Sequence, residues 1–153
     1  MIKLTRLADY AVLLMSCLAR RPGDLHNAAD LALESHLPAP TVSKILGTMA
    51  RAGLLVSHRG HTGGFSLARR PDEISVAAIV RLFDGPLALT ECIDPDTGEC
   101  EIEGTCSVRG YWQKINNAVE RAMSDVTLAD LACPVMADPL AGAAKPPAGS
   151  VLH

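Results

Sequence analysis

The segment from 39 to 68 constrains the fold of this chain more than any other part of it. It predicts a helix that ends near Ala52, because Gly53 follows as a stop and apolar residues recur at helical spacing at Val42, Ile45, Leu46 and Met49. Two short apolar runs at 54–56 and 65–68 then flank the glycine-rich, basic sequence SHRGHTGG. That pattern is typical of a β-hairpin. We therefore expect a helix followed directly by a hairpin.

Two more helices are predicted before this segment. Apolar residues recur every three or four positions over residues 4–19, and a Pro-Gly-Asp turn at 22–24 ends that helix. A second helix is predicted from about Asn27, its N-cap, to Ser35. Two helices joined by a tight connection and followed by a hairpin are the elements of a winged helix-turn-helix. The predicted fold class is therefore mainly α with a small β-hairpin wing.

The second half of the chain predicts a short helix at 75–83, a long helix from about Cys106 to Asp125 and a terminal helix at 126–131 capped by Thr127. Apolar residues of the long helix are spaced four, three, four, three, four, at Val108, Trp112, Ile115, Val119, Ala122 and Val126. A repeat of about 3.5 residues is typical of a coiled coil. We therefore expect a long dimerisation helix and a homodimer; packing of the seam on the chain's own domain is the alternative.

These elements divide the chain into four parts: a winged helix-turn-helix domain at 1–84, a cysteine-containing loop at 85–105, the dimerisation and terminal helices at 106–132, and a tail at 133–153. The tail is rich in Pro, Ala and Gly and is expected to be disordered. The absence of a long apolar run or a secretory signal predicts a cytoplasmic protein without a membrane partner. No nucleophile–base pair or phosphate loop is evident, so we expect neither an enzyme nor a small-molecule substrate.

Charge is divided unequally along the chain. The formal net charge of −3, taken alone, argues against nucleic acid as a partner. Residues 1–70, however, carry nine Lys/Arg and four Asp/Glu, a net charge of +5, and residues 71–153 carry five and thirteen, a net charge of −8. The basic half contains the predicted helix-turn-helix and wing. This distribution favours double-stranded DNA as the partner of the first half.

The candidate DNA-binding residues lie on the third helix and on the hairpin. The start of a recognition helix supplies side chains to base edges, and a basic wing tip suits a narrow minor groove. An ordinary helix pair with a solvated, charged surface is the alternative for the helices alone. The predicted set is Lys3, Thr41, Ser43, Lys44, Arg51, Arg59, His61, Gly63 and Gly64.

Three of the five cysteines cluster, at Cys92, Cys100 and Cys106, with the spacing C-x7-C-x5-C. Three thiolates in one loop suit zinc or an iron–sulfur cluster, and a thiol switch is an equal alternative on spacing alone. The six acidic residues within 91–103 disfavour free thiolates unless a metal offsets their charge. Cys17 is expected in the core, and Cys133 at the start of the tail has no assigned role.

Several segments together resemble one family. They are LTRLADYAV at 4–12, LPAPTVSKIL at 37–46, RAGLLVSHRGHTGGFSLAR at 51–69, ISVAAIV at 74–80, GPLALTEC at 85–92, CEIEGTCSVRGYWQKIN at 100–116 and VTLADL at 126–131. With them, about residues 1–132 resemble the IscR/NsrR group of winged-helix regulators, the Rrf2 family, and look most like regulators of the SUF iron–sulfur assembly system. The wing sequence RGxxGG together with the three cysteines carries the resemblance.

The resemblance implies a homodimeric regulator, activator or repressor, that binds promoter DNA of iron–sulfur biogenesis genes. It implies a [2Fe–2S] or [4Fe–4S] cluster held by Cys92, Cys100 and Cys106, responding to iron, oxygen or nitric oxide. The first cysteine gap is seven residues here, against five in the best-known members. Arg109 stands where IscR-like members have a ligating His, so the likeness to NsrR points to Asp9 of the partner subunit as fourth ligand. A surface role for Asp9, or a pair with Arg6, is the alternative.

Overall fold

The structure is a computed structural model that describes residues 3–95 and 100–132. Over those residues the helices are α1 (Arg6–Ala19), α2 (Ala28–Ser35), α3 (Ala39–Arg51), α4 (Val76–Asp84), α5 (Arg109–Asp125) and α6 (Leu128–Ala132). The strands β1 (Leu55–His58) and β2 (Gly64–Leu67) follow α3, and short 3-10 turns lie at Pro71–Glu73 and Glu103–Thr105. The predicted fold class, mainly helical with a two-stranded wing, is confirmed. The predicted tail at 133–153 lies outside the described residues.

Side-chain caps decide where several helices begin. Thr5 Oγ1 accepts the N–H of Ala8, so α1 starts at Arg6 rather than at residue 4. The Asn27 side chain accepts the N–H of Asp30, which confirms the predicted N-cap of α2. Ser75 caps α4 in the same way. Each of these helices therefore begins at a residue whose side chain replaces a missing intrahelical partner.

The connection between α2 and α3 is only three residues long and requires a left-handed backbone. His36 ends α2 with a φ of 56°, a conformation that is uncommon for a residue with a Cβ atom. Pro38 then precedes the first residue of α3, and Pro40 lies in its first turn, where a missing N–H costs no intrahelical bond. This turn directs α3 across α1 and α2 as in a helix-turn-helix.

The wing is an antiparallel hairpin that is attached to the loop between α1 and α2. Leu55 pairs with Leu67 and His58 with Gly64 in the strand register. The backbone of His26 pairs with Phe65 on the outer side of β2, with N···O distances of 2.9 and 2.7 Å. A Cβ atom on Gly64 would lie 2.6 Å from the His26 carbonyl oxygen. Only glycine therefore allows this close approach of the two backbones.

The core of the protein is centred on α1. Its buried face packs against α2, α3, β2, α4 and α6. The aromatic content of the chain is 3%, so the core consists mainly of aliphatic residues and methionine. The largest fully buried ones are Leu14, Met15, Leu18, Leu31, Ile45, Leu46, Met49, Ile74, Ile79, Leu128 and Val42. The predicted buried face of α3 is among them.

The long helix differs from its prediction at its start. We predicted it from about Cys106, but Cys106 has extended backbone angles after the turn Glu103–Thr105, and α5 begins at Arg109.

The predicted cap of α6 is confirmed, because Thr127 Oγ1 accepts the N–H of Asp130 at 3.4 Å. Backbone bonds from Val76 to Val126 and from Leu128 to Ile74 attach this end of α5 to the start of α4. In the described part of the chain, no helix has both the length and the apolar character to cross a membrane.

Truncating the core face of α3 is expected to cost far more stability than truncating an exposed helix position. Leu46 is fully buried in the cluster around α1, so Leu46→Ala should lower the free energy of unfolding by about 2–5 kcal/mol. Leu33 on α2 is 75% exposed, and Leu33→Ala should change it by less than about 0.5 kcal/mol. Urea unfolding followed by circular dichroism at one fixed protein concentration measures both. Equal losses would contradict the assigned core.

Candidate functional site

The exposed face of α3 carries the residues predicted to bind DNA. Burial of one face of α3 leaves Ser43, Lys44 and Arg51 exposed and Thr41 half-buried on the opposite side. Thr48 Oγ1 donates to the Lys44 carbonyl and accepts from Arg51 at 3.2 Å. Arg51 is therefore held along the helix surface, close to the turn that holds Lys44. This face has hydroxyl and cationic donors along one side of a single helix, as base-edge and phosphate contacts require.

The wing presents its basic tip to solvent. Arg59 and His61 are exposed between the two strands. Gly60 has a φ of 115°, which favours glycine over any other residue at the tip. A Cβ atom on Gly63 would collide with the carbonyl oxygen of His58. Gly63 is thus required by the hairpin itself, and Gly64 by the close approach of the His26 backbone. The sequence did not distinguish these structural roles from the predicted contact with DNA.

Salt bridges in the structure leave the predicted DNA-binding cations unpaired. Among the described residues, the arginines engaged in salt bridges are Arg20, Arg21, Arg70, Arg81 and Arg109. Lys3, Lys44, Arg51 and Arg59 form none with the described carboxylates. An unpaired, exposed cation keeps its full charge for a phosphate. Arg6 and Arg69 of the first half are likewise without a salt bridge among the described residues. The predicted DNA-binding cations are therefore available to a phosphate, together with these two.

The three clustered cysteines lie half-buried in two hydrogen-bonded turns. Cys92 is in a turn in which the Thr90 carbonyl accepts the N–H of Ile93 at 3.0 Å and of Asp94 at 3.3 Å. The Thr90 hydroxyl lies 3.3 Å from the Cys92 sulfur. Cys100 and Cys106 lie on either side of the turn Glu103–Thr105. The Cys100 carbonyl accepts the N–H of Glu103, and the Cys106 N–H donates to the Glu103 carbonyl. All three are free thiols.

The donor types fit an iron–sulfur cluster, although one protomer does not gather them. Free, half-buried thiols are the usual ligands of such clusters. Over residues 3–95 and 100–132, no three His, Cys, Asp or Glu side chains lie close enough together to hold a metal ion. Cys92, Cys100 and Cys106 are all among these residues, so the described conformation does not bring the three thiols together around one metal position.

The structure describes the surroundings of Asp9 and Arg109, the two residues on which the fourth-ligand hypothesis depends. Asp9 is exposed in the first turn of α1 and pairs neither with Arg6 nor with any other described residue. The alternative pair with Arg6 is therefore absent from the described structure. Arg109, at the position where a His could have been a ligand, forms a 2.6 Å salt bridge with Glu103. These observations leave the Asp9 carboxylate accessible to a second subunit.

The apolar seam of α5 is exposed in the single chain. Val108, Trp112, Ile115 and Val126 have exposures between 38% and 49%. Tyr111 beside them is also exposed, and the one buried residue of α5 is Asn116. Val119, farther along the seam, is half-buried, and α5 contacts α4. Part of the seam therefore packs on the chain's own domain, as the alternative holds, and the greater part stays exposed. An exposed apolar stripe of this length is typical of a protein–protein interface.

Asn116 is a residue that the sequence analysis missed. Its side-chain oxygen accepts the N–H of Leu89 at 3.1 Å, and its side-chain nitrogen donates to the Leu87 carbonyl at 2.9 Å. The amide thereby attaches the segment that leads to Cys92 to the middle of α5. In the sequence it stands beside a second asparagine, Asn117, which is exposed, and no local signal separates the two.

Taken together, a helix-turn-helix with an unpaired basic face, a glycine-tipped wing and a long helix with an exposed apolar seam define the class of winged-helix transcriptional regulators. The chain belongs to the Rrf2 family, described as iron-dependent transcriptional regulators, which matches residues 4–134.

The chain is similar to several named regulators. The chain is 29% identical over 131 residues to the transcriptional regulator NsrR of Halalkalibacterium halodurans, covering 85% of this chain and 90% of that protein. It is similar in structure to CymR, the global cysteine regulator of B. subtilis, with a TM-score of 0.71, 28% identity, and 86% of this chain and 97% of that chain covered. It is also similar to IscR of T. potens, with a TM-score of 0.66, 27% identity and 85% of each chain covered.

The fourth described cysteine, Cys17, is expected to resist alkylation in the folded protein. Burial in the core and then the nearby Glu34 carboxylate raise the pKa of the Cys17 thiol, and alkylation requires the thiolate. In reduced, metal-free protein, iodoacetamide should therefore modify Cys92, Cys100 and Cys106 at least about tenfold faster than Cys17. Mass spectrometry of peptides measures the rates, and urea-unfolded protein is the control in which the difference disappears. Equal rates in folded protein would contradict the assigned burial.

Proposed function

We propose that this protein is a dimeric, DNA-binding transcriptional regulator that senses the state of an iron–sulfur cluster and controls iron–sulfur assembly genes. The observation that carries the proposal is the combination, in one small chain, of an unpaired basic α3 face and three free, half-buried thiols next to the predicted dimer helix. Membership of a family described as iron-dependent regulators supports it.

DNA contact is assigned to the face that lacks internal ion pairs. Thr41, Ser43 and Lys44 of α3 would reach base edges and phosphates in the major groove. Arg59 and His61 would enter the adjacent minor groove from the wing. Lys3 and Arg51 would contact the phosphate backbone, which fixes the position of the protein on the duplex but does not select its sequence.

A second copy of the chain is proposed to cover the seam of α5. Two α3 helices must be held at a fixed distance to read two half-sites of an operator, which a symmetric dimer provides. The 3.5-residue repeat suits a helix–helix seam, and its residues are exposed in one protomer. The cluster proposal also requires that this dimer bring Asp9 of one subunit to the cysteines of the other.

The cluster is assigned to Cys92, Cys100 and Cys106, with the partner's Asp9 as fourth ligand. When bound, an iron–sulfur cluster of either type supplies a redox- and ligand-sensitive centre. The three thiols lie between the DNA-binding domain and α5, and Asp9 lies on α1 of that domain. This ligand set would fix the two subunits' domains relative to one another. A carboxylate is a weaker ligand for iron than a thiolate, so the set also favours a site that loses its cluster readily.

A thiol- or zinc-based sensor without iron is the second candidate. It is supported by the similarity to the cysteine regulator CymR. The same three thiols would then act by oxidation, alkylation or zinc binding. Iron and sulfide analysis of anaerobically purified protein separates the two candidates.

Removing unpaired cations from α3 or the wing should weaken DNA binding. Lys44→Ala and Arg59→Ala should each reduce affinity at least about tenfold, and each should lower the slope of log K against log salt by about two, because a dimer loses two cations. Lys114→Ala, an exposed cation on α5, is the matched control and should change neither value. A duplex selected by wild-type protein from a random pool serves as the probe in gel shifts. An unchanged slope for both variants would refute the assigned interface.

The cluster assignment predicts a graded series of variants. Wild-type protein purified without oxygen should contain iron and acid-labile sulfide and a visible absorption spectrum. Cys106→Ser should lose them, since it removes a thiolate ligand. Asp9→Ala should keep part of the cluster but change its spectrum and speed its loss in air, because one weaker ligand is removed.

Asp24→Ala is the control for the carboxylate, because Asp24 is exposed in the loop after α1. It should behave like wild type. A spectrum, iron content and lability in Asp9→Ala equal to wild type would remove Asp9 from the ligand set. Wild-type protein without iron or sulfide would refute the cluster itself and favour the thiol- or zinc-based candidate.

A further inference from the structure

The long helix buries a polar side chain while it exposes its apolar seam. Asn116 is 3% exposed, and no other residue of α5 is buried in the described chain. A buried amide is costly unless its hydrogen bonds are made. Such a residue at the centre of an otherwise exposed helix therefore indicates a specific attachment at this point.

The partners of Asn116 are backbone atoms of one short segment. Its oxygen accepts the N–H of Leu89 and its nitrogen donates to the carbonyl of Leu87, at 3.1 and 2.9 Å. The amide oxygen accepts one bond and the amide nitrogen donates the other, so the side chain pairs with one backbone donor and one backbone acceptor. Breaking either bond leaves a buried polar group without a partner, and the segment and the helix therefore move as a unit.

That segment continues directly into the turn of Cys92. Thr90 follows Leu89, and its carbonyl accepts the N–H groups of Ile93 and Asp94. Its hydroxyl lies 3.3 Å from the Cys92 sulfur. The Asn116 amide thus holds the backbone at Leu87 and Leu89, and the next residue along the chain, Thr90, contacts the Cys92 thiol.

The other attachments of α5 do not include the turn of Cys92. At its start, Arg109 forms a salt bridge with Glu103 in the turn between Cys100 and Cys106. Nearer its end, Glu120 pairs with Arg81 of α4, and the two side chains are 34% and 58% exposed. The backbone bonds at Val126 and Leu128 join the end of α5 to the start of α4. The contacts nearer its end connect the long helix to the DNA-binding domain, whereas Asn116 connects it to the segment that bears the Cys92 thiol.

We propose that Asn116 is a positioning residue that transmits a change at Cys92 to the dimerisation helix, and through it to the spacing of the DNA-binding domains. The inference rests on the proposed function, in which the state of the cysteines alters DNA affinity. Asn116 itself touches neither DNA nor, as proposed, the cluster. Through its two hydrogen bonds, a displacement of the turn at Cys92 would also displace α5.

The test compares Asn116→Asp with Asn117→Asp. Asn116→Asp keeps the size of the side chain and the acceptor for Leu89, but it places an oxygen against the Leu87 carbonyl. Asn117→Asp adds the same charge one residue further along, on the exposed surface. Asn116→Ala is a second variant that removes both bonds without adding charge. Circular dichroism and size-exclusion chromatography establish that each is folded and dimeric.

The quantity measured is the ratio of DNA affinities between cluster-loaded and cluster-free protein. Wild type and Asn117→Asp should show a ratio in the range of about 5- to 150-fold, the usual size of coupling between sites. In Asn116→Asp and Asn116→Ala, which retain all three cysteines and the cluster, the ratio should fall to within about twofold of one. In cluster-free variants, Cys92 should also be alkylated faster than in wild type, relative to Cys106 in the same molecules.

Two outcomes separate this inference from the proposed function. If both Asn116 variants keep the wild-type ratio while losing only stability, Asn116 is a structural residue and the inference is overturned. If wild-type protein holds no cluster, the cluster proposal fails. The ratio of DNA affinities is then measured between iodoacetamide-blocked and reduced protein, and each variant is expected to show the ratio given for it above. If the DNA-affinity ratio of wild-type protein is near one in both comparisons, the state of the cysteines does not alter DNA affinity. The inference is then overturned as well.

Discussion

Burial of α1 is the constraint on which the rest of the structure depends. From Leu14 to Ala19 every residue of this helix is buried, and α2, α3, β2, α4 and α6 all pack against it. The same helix presents Asp9 to solvent at its exposed start. The orientation of the α3 face and the position of the proposed carboxylate ligand therefore follow from one packing arrangement, and a change in α1 would disturb DNA contact and ligand position together.

Much of this arrangement could be predicted from the sequence because it depends on local signals. Periodicity identified the helices, Asn27 and Thr127 marked starts, and the glycines at the wing marked the hairpin. The start of α5 was predicted three residues early, because its seam includes Val108, which lies before the first helical turn. Asn116 could not be separated from Asn117, since its burial depends on a segment almost thirty residues away. The site residues themselves remain predictions, supported by exposure and by the family resemblance.

The distribution of ion pairs refines the charge argument made from the sequence. A count of residues gives a basic first half and an acidic second half, but a count does not say which cations are available. The structure pairs Arg81 and Arg109 of the second half with neighbouring glutamates. Lys44 and Arg59 of the first half stay unpaired among the described residues. Other cations outside these two elements, such as Arg69 and Lys114, also form no salt bridge among the described residues. The ion pairs therefore leave the cations of α3 and the wing available for DNA without confining the free positive charge to them.

The attachments of α5 bear on how, in the proposed function, one small chain would join sensing to DNA binding. A helix packed by its apolar face on its own domain would respond to little beyond unfolding. In the described chain, most of the apolar seam of α5 is exposed, and polar contacts join the helix to the rest of the chain: the buried Asn116 amide, the Arg81–Glu120 ion pair and two backbone bonds. Polar contacts depend on direction, so a small rotation of the cysteine turn would break them, whereas an apolar contact would tolerate it. The role proposed for Asn116 requires such a joint, which would have two states, made or broken.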